Sequence, residues 1–324
     1  MKNVCIVGYG AIGPIHAEAL RGVKTAKFYA VCDIKPEKIE ECRLEYDVIG
    51  YTDFDIMLSD PEIDSVHICT PHYLHFQMIK KALAAGKNVV CEKPLTMTKD
   101  EFKELLVLRN SDKVCVIMQN RLNPCIRMFK DIIQSGEMGE IKTAKGIMTW
   151  QRTQEYYDSD EWRGKWSTEG GGVLINQAVH SLDFFNYLIG DVKELKAQMI
   201  NFSLEKIEVE DTFSAYITFC SGVNGVFFAT NAYGDNTYPL FEVVFEKGIV
   251  RYIDSKLYRD GELIEEDALP SVGKSYWGSS HEALLSKYYD EGKYNSPHTI
   301  KNTMNTMFAM YESAKHNGRK EEIL

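Results

Sequence analysis

Six residues near the start of the chain, Gly8-Tyr9-Gly10-Ala11-Ile12-Gly13, stand between an apolar, β-rich run (Val4 to Gly8) and a helical pattern. Asp33 closes the next apolar run, about 20 residues after the third glycine. This spacing dictates a strand-turn-helix-strand unit. Gly8 permits the tight turn, Gly10 lets the backbone approach a pyrophosphate, and Gly13 allows close packing of helix on strand. The free N–H groups of the helix start would receive the anion. Gly8, Tyr9, Gly10, Ala11, Ile12 and Gly13 are therefore the expected cofactor-binding turn, with Asp33 and Ile34 at the adenosine ribose. A carboxylate there accepts ribose hydroxyls and repels a 2′-phosphate, so the pattern predicts NAD; Lys35 nearby leaves some room for NADP.

Up to about residue 120 the same rhythm continues, with β-rich runs at Phe28 to Asp33, Ser65 to Thr70, Asn88 to Glu92 and Lys113 to Gln119 separated by helical patterns. Strands alternating with helices predict a doubly wound parallel sheet. At Asn123-Pro124 the rhythm breaks. After one more helix come runs at Ile141 to Trp150, Glu194 to Phe202, Thr212 to Cys220, Val223 to Ala232, Leu240 to Phe245 and Ile249 to Ile253, several joined by turn signals such as Ser221-Gly222 and Lys247-Gly248. The fold class read from this is α/β: an N-terminal Rossmann domain over 1–122, then an α/β domain over 123–324 with a mainly antiparallel, open-faced sheet. In Thr212 to Phe219 one face is apolar and the other mixed, which suits solvent or a second subunit. Helical patterns at His281 to Tyr289 and about 298–316 end the chain, and the last is expected to return to the first domain.

The chain has 324 residues, a formal net charge of -10 and no dense Lys/Arg cluster, which argues against nucleic acid as a partner. No run is long enough to span a bilayer, and the start lacks the apolar segment of a signal peptide, so a cytoplasmic enzyme is expected. Eight cysteines form no C-x-x-C pair, so buried thiols in a reducing compartment, with no metal, are expected.

Reactive groups cluster at strand ends, where open α/β sheets bind ligands. Thr70-Pro71-His72 with His75 follows one strand, and Glu92-Lys93-Pro94 follows another. Further on, Gly170-Gly171-Gly172 opens a helical pattern in which Asn176, His180 and Asp183 share one face at i, i+4 and i+7. Between the domains, the stretch from Trp150 to Trp166 holds three of the four tryptophans. Tyr156, Trp162 and Arg163 there suit a sugar face and an anionic group, or alternatively packing.

Taken together, Gly8 to Gly13, Thr70-Pro71 with His75, Glu92-Lys93-Pro94, Asn120-Arg121 and Gly170 to Asp183 resemble the Gfo/Idh/MocA oxidoreductase family over nearly the whole chain. The resemblance implies NAD(P)-dependent chemistry at a CH–OH group of a sugar, inositol or nucleotide sugar, and a homodimer or homotetramer formed through the C-terminal sheet. It also implies catalytic roles for Lys93, at the reacting hydroxyl, and His180, as proton shuttle. Thr70, Pro71, His72, His75, Glu92, Lys93 and Arg121 are further cofactor candidates. Lys93, Arg121, Tyr156, Trp162, Arg163, Asn176, Gln177, His180 and His281 are substrate candidates. Asn176 departs from the Asp common in relatives, and an amide cannot take a proton, so it is assigned to binding. Asp183 is expected to hold the imidazole from its other nitrogen. The alternatives are a glycosidase that uses NAD as a transient oxidant and a dinucleotide-sensing regulator without catalysis.

Overall fold

The computed structural model describes residues 1–237, 239–268 and 280–323. The chain divides into two compact units, Met1–Gln119 with Pro270–Thr299, and Asn120–Leu269 with Ile300–Leu324.

The first unit begins β1 (Lys2–Val7), α1 (Gly13–Leu20), β2 (Ala26–Cys32), α2 (Pro36–Arg43), β3 (Ile49–Tyr51) and α3 (Phe54–Leu58). It continues β4 (Ser65–Ile68), α4 (His72–Ala84), β5 (Asn88–Cys91), α5 (Lys99–Val107) and β6 (Val114–Val116). The strands form one parallel sheet in the order β3-β2-β1-β4-β5-β6. Residues of β1, β4 and β5 are buried on both faces, which is why they read as unbroken apolar runs. The short β3 carries no such run and was not legible. Helix α5 starts at a capping box, in which Thr98 and Glu101 exchange side-chain and backbone bonds.

The second unit holds α6 (Pro124–Ser135), β7 (Ile141–Thr149), α7 (Gln154–Asp158), α8 (Val173–Asn176) and α9 (Val179–Phe184), followed by one π-turn, Phe185–Ile189. Its remaining strands are β8 (Val192–Ile200), β9 (Thr212–Phe219), β10 (Asn224–Thr230), β11 (Leu240–Phe245), β12 (Gly248–Ile253), β13 (Lys256–Arg259) and β14 (Glu262–Glu266). Helix α10 (Ser280–Glu291) belongs to the first unit; α11 (Lys301–Lys315) and β15 (Glu321–Glu322) complete the second. The nine-stranded sheet runs β14-β13-β12-β11-β7-β10-β9-β8-β15 and is antiparallel except between β7 and β10. In β9, Phe213, Ala215, Ile217 and Phe219 are buried while Tyr216 is 73% exposed, so one face stays open. On the covered face, Phe185 of the π-turn lies against Gly146 and Gly225; a Cβ on Gly146 would come within 2.4 Å of its ring. Two strand glycines thus seat the segment that follows α9.

The helix that joins the first unit from the far end of the sequence is α10, which packs on α1, rather than the last helix. Helix α11 instead lies along β8, where its buried Met304, Met307 and Met310 find apolar surface. Among the described residues, no helix is long and apolar enough to cross a membrane.

Candidate active site

In the first unit the glycine turn has the geometry its spacing predicts. Gly8 sits at φ 88°, and a Cβ there would stand 2.7 Å from the Cys69 carbonyl oxygen. A Cβ on Gly13 would stand 2.7 Å from the Gly8 carbonyl oxygen, whereas one on Gly10 would meet nothing within 4 Å. The two tight glycines shape the loop, and Gly10 leaves open space where an anion can approach. Asp33 accepts the Tyr9 N–H at 2.7 Å and the Lys35 N–H at 2.9 Å, tying the end of β2 to the turn. Tyr9 turns its ring inward at 4% exposure, so it serves the turn through its backbone. Ile34 is 85% exposed beside Asp33, as a residue offering an apolar surface to an adenine would be. This turn, its helix start and its acidic strand end fit NAD.

The second feature of this unit is the pair of loops at the ends of β4 and β5. His75 is fully buried, with Nδ1 2.7 Å from the Pro94 carbonyl oxygen and Nε2 2.8 Å from the Thr70 carbonyl oxygen. It bridges the two loops. With no exposed atom it has nothing to offer a cofactor, which corrects the expectation of direct contact. His72 is buried beside it, the two rings 5.8 Å apart. The Lys93-Pro94 peptide is cis. The Glu92 carboxylate is buried, and its Oε2 accepts the Lys93 N–H at 3.2 Å. Its Oε1 lies 3.1 Å from His16 Nε2 and 3.8 Å from His281 Nε2. Burial works against the anion, but the two imidazoles outweigh it and hold this carboxyl well below the usual range. His281, expected at the substrate, therefore faces Glu92 in the interior of the first unit. His16, Glu92 and His281 are also the one group among the described residues whose ligand atoms lie close enough to hold an ion.

In the second unit the stretch after Gly172 is not one helix. It breaks into α8 and α9 around Gln177 and Ala178, so Asn176, His180 and Asp183 do not form one regular stripe. Two buried carboxylates account for the departure. Glu169 accepts Asn176 Nδ2 at 2.5 Å and the Gly164 N–H at 2.5 Å. Glu210 accepts the N–H groups of Gly172 at 2.9 Å and Leu174 at 3.1 Å and the Tyr311 hydroxyl at 2.9 Å, so it caps the glycine run. Burial pushes the Glu210 carboxyl up to about 7 against these donors. Asp183 was expected to hold His180; its oxygens instead accept Arg121 Nε at 2.7 Å, Arg121 Nη2 at 2.6 Å and Thr303 Oγ1 at 2.6 Å. Arg121, a candidate for cofactor and substrate, is 7% exposed with its guanidinium committed to that ion pair. His180 is half-buried on α9.

The aromatic stretch packs on itself. Arg152 stacks over Trp150 and Tyr156, and Arg163 over Tyr156 and Trp162, at 4.4 to 5.2 Å from the ring centroids. The Tyr156 hydroxyl accepts Arg163 Nη1 at 2.5 Å and Gln177 Nε2 at 3.1 Å, and Gln177 Oε1 accepts Asn231 Nδ2 at 2.9 Å. Asn176 Nδ2 also donates to the Tyr156 hydroxyl at 3.5 Å, so Tyr156, Arg163, Asn176 and Gln177 share one polar network beside α8. Sequence reasoning missed His16, Glu169 and Glu210; only Glu169 carried a signal, standing directly before the glycine run.

Residues 2–120 match the model of an oxidoreductase family with an NAD-binding Rossmann fold, and residues 126–251 match the GFO/IDH/MocA C-terminal domain. YrbE, an uncharacterized oxidoreductase of Bacillus subtilis, is 30% identical over 68% of this chain, but the chain covers only 64% of its length. Levoglucosan dehydrogenase of Pseudarthrobacter phenanthrenivorans is 26% identical over 76% of this chain and 72% of its own. The WlbA dehydrogenase of Bordetella pertussis, solved with NADH and UDP-GlcNAcA, superposes with a TM-score of 0.86 at 25% identity, covering 99% of this chain and 98% of the other.

Proposed function

The chain belongs to the Gfo/Idh/MocA oxidoreductase family, and from that premise we propose that it transfers hydride between NAD and a secondary carbinol or ketone of a sugar, inositol or nucleotide sugar. The observation that carries this reading is the Glu92-Lys93-Pro94 loop. It leaves the carboxyl end of β5, in the same sheet whose β1-α1 turn fits a dinucleotide, and the backbone on either side of Lys93 is anchored by buried groups. Bound nicotinamide supplies the hydride acceptor. Lys93, as an ammonium, binds the reacting hydroxyl and stabilises its developing alkoxide, and His180 takes the proton. Asn176 and Gln177, fixed through Glu169, Tyr156 and Asn231, orient the substrate rather than relay protons. The sugar-type ligand named for WlbA and the levoglucosan dehydrogenase support this substrate class. We further assign the open sheet face, with Tyr216, Val226, Phe228 and Ile249 exposed, to a homo-oligomer contact. Seven buried, unpaired cysteines support a reducing, cytoplasmic setting.

Lys93→Ala is expected to keep NADH binding, followed by its fluorescence, while turnover falls by about 10²–10⁴. Turnover is read as NADH absorbance over a panel of inositols, aldoses and uridine-diphosphate sugars. Near-full activity of the variant overturns the assignment, and sugar release without net NADH moves the chain to the glycosidase class.

A further inference from the structure

His16 on α1, Ser65 and His67 on β4, Glu92 after β5 and Tyr289 on α10 meet inside the first unit, and the mechanism above uses none of the first three or the last. Ser65 and His67 stand two residues apart, so both face the same side of their strand. Ser65 Oγ is 2.7 Å from Tyr289 Oη, Tyr289 Oη is 2.8 Å from His67 Nε2, and His67 Nδ1 is 2.9 Å from His16 Nδ1. His16 Nε2 is 3.1 Å from Glu92 Oε1.

Hydrogen accounting permits one order when both imidazoles are neutral. The anionic Glu92 only accepts, so His16 Nε2–H donates to it. Neutral His16 then has a bare Nδ1, and His67 Nδ1–H donates to that. His67 Nε2 is consequently bare and accepts the Tyr289 hydroxyl, whose oxygen accepts Ser65 Oγ–H. Burial holds both imidazoles below their ordinary value, which agrees with their neutrality. Reversing the order would require one more proton, on His16. We propose that Ser65, Tyr289, His67 and His16 form a one-way chain of hydrogen bonds into the Glu92 carboxylate, and that this chain positions Lys93. Bonds in such a chain polarise one another, so its end at Glu92 is the best-defined acceptor.

The positioning works through the backbone. Glu92 Oε2 holds the Lys93 N–H, and one residue on the Pro94 carbonyl lies against His75 Nδ1. An ordered Glu92, its carboxyl held well below the usual range against burial, thus fixes where the Lys93 side chain departs and places a negative charge one residue before its ammonium. These residues are positioning residues. The inference rests on the role proposed for Lys93, but its test does not need a substrate.

The test uses the full-length protein carrying ¹⁵N-labelled histidine, with imidazole NMR. The expected result is His67 as the neutral Nδ1–H form and His16 as the neutral Nε2–H form. His16→Leu removes the acceptor of the His67 Nδ1–H and should release the His67 tautomer, whereas Tyr289→Phe leaves that acceptor in place and should only shift the bare Nε2 signal. In parallel, trace acetylation read by peptide mass spectrometry should show Lys93 labelling faster in Tyr289→Phe and about tenfold faster in Glu92→Gln, with other lysines unmoved in both and NADH binding unmoved in Tyr289→Phe. His16→Leu should behave like Glu92→Gln, and His16→Gln, which can still donate to Glu92, should restore the slow rate. An Nε2–H form of His67 overturns the chain. Unchanged Lys93 labelling in Tyr289→Phe, or in His16→Leu despite a released tautomer, overturns the positioning role. Stoichiometric Zn²⁺ binding that shifts the His16 and His281 signals also overturns it, making the cluster a metal site. Loss of turnover in Lys93→Ala bears only on the function, so failures of the two are told apart.

Discussion

Glu92 in the first unit and Glu210 in the second are both buried carboxylates, yet their partners differ in kind. Glu92 faces the imidazole nitrogens of His16 and His281; Glu210 faces two backbone N–H groups and a phenol. The first carboxyl is driven well below its ordinary value and the second up to about 7. Burial opposes the anion in both, so the difference lies in the partners. Asp183, in the second unit, takes a third course with a permanently charged partner, Arg121.

The largest effect should come from removing that permanent charge. Arg121→Met leaves Asp183 buried with only neutral donors, a change that costs about 3–5 kcal/mol in such pairs. Urea unfolding measures it, and a loss below about 1 kcal/mol would show that neutral donors suffice for a buried carboxylate here as they do for Glu210.

Acid separates the two units next. Between pH 7 and 4.5 folded Glu210 binds a proton that the unfolded chain does not, so its unit gains stability as pH falls, by about 3 kcal/mol in all. In the first unit His16, His67 and His75 sit below their ordinary 6.5, so there the unfolded chain binds the extra protons and stability is lost as pH falls through that value. Glu242, which Lys145 and Arg251 hold low against burial, titrates below this window and does not offset the trend. Hydrogen exchange at pH 5 and 7.5, corrected for intrinsic rates, should show β4 and β5 losing protection in acid while α8 and β9 gain it. Parallel changes in both units would break the contrast.

What could be read from sequence follows the range of the interactions. The glycine turn, Asp33, the capping box and the strands β1, β2, β4 and β5 are local patterns, and local patterns specify them. The Glu92 array joins positions 16, 65, 67, 92 and 289, and a lone histidine in a helix or strand looks the same whether it packs or relays. Asn176, His180 and Asp183 had the right spacing for one face. Glu169 drew Asn176 away and Arg121 claimed Asp183, and neither partner is marked by periodicity. The exchange of roles between α10 and α11 was hidden for the same reason: only tertiary contact decides which unit each joins.

The smallest effect should come from a carboxylate held by neutral donors in water. Glu101 Oε2 accepts the N–H groups of Thr98 at 3.2 Å and Met97 at 3.1 Å, the same chemistry as Glu210, but at the exposed start of α5. Thr98 returns the bond, its Oγ1 accepting the Glu101 N–H at 3.2 Å. Glu101→Ala deletes a carboxylate acceptor whose two N–H partners water can then satisfy, so the expected cost is about 1 kcal/mol by urea unfolding. If burial rather than donor type governs the cost of these carboxylate sites, this variant must fall well short of Arg121→Met. A loss of about 3 kcal/mol or more would show that the bond geometry, and not its seclusion from water, carries the energy.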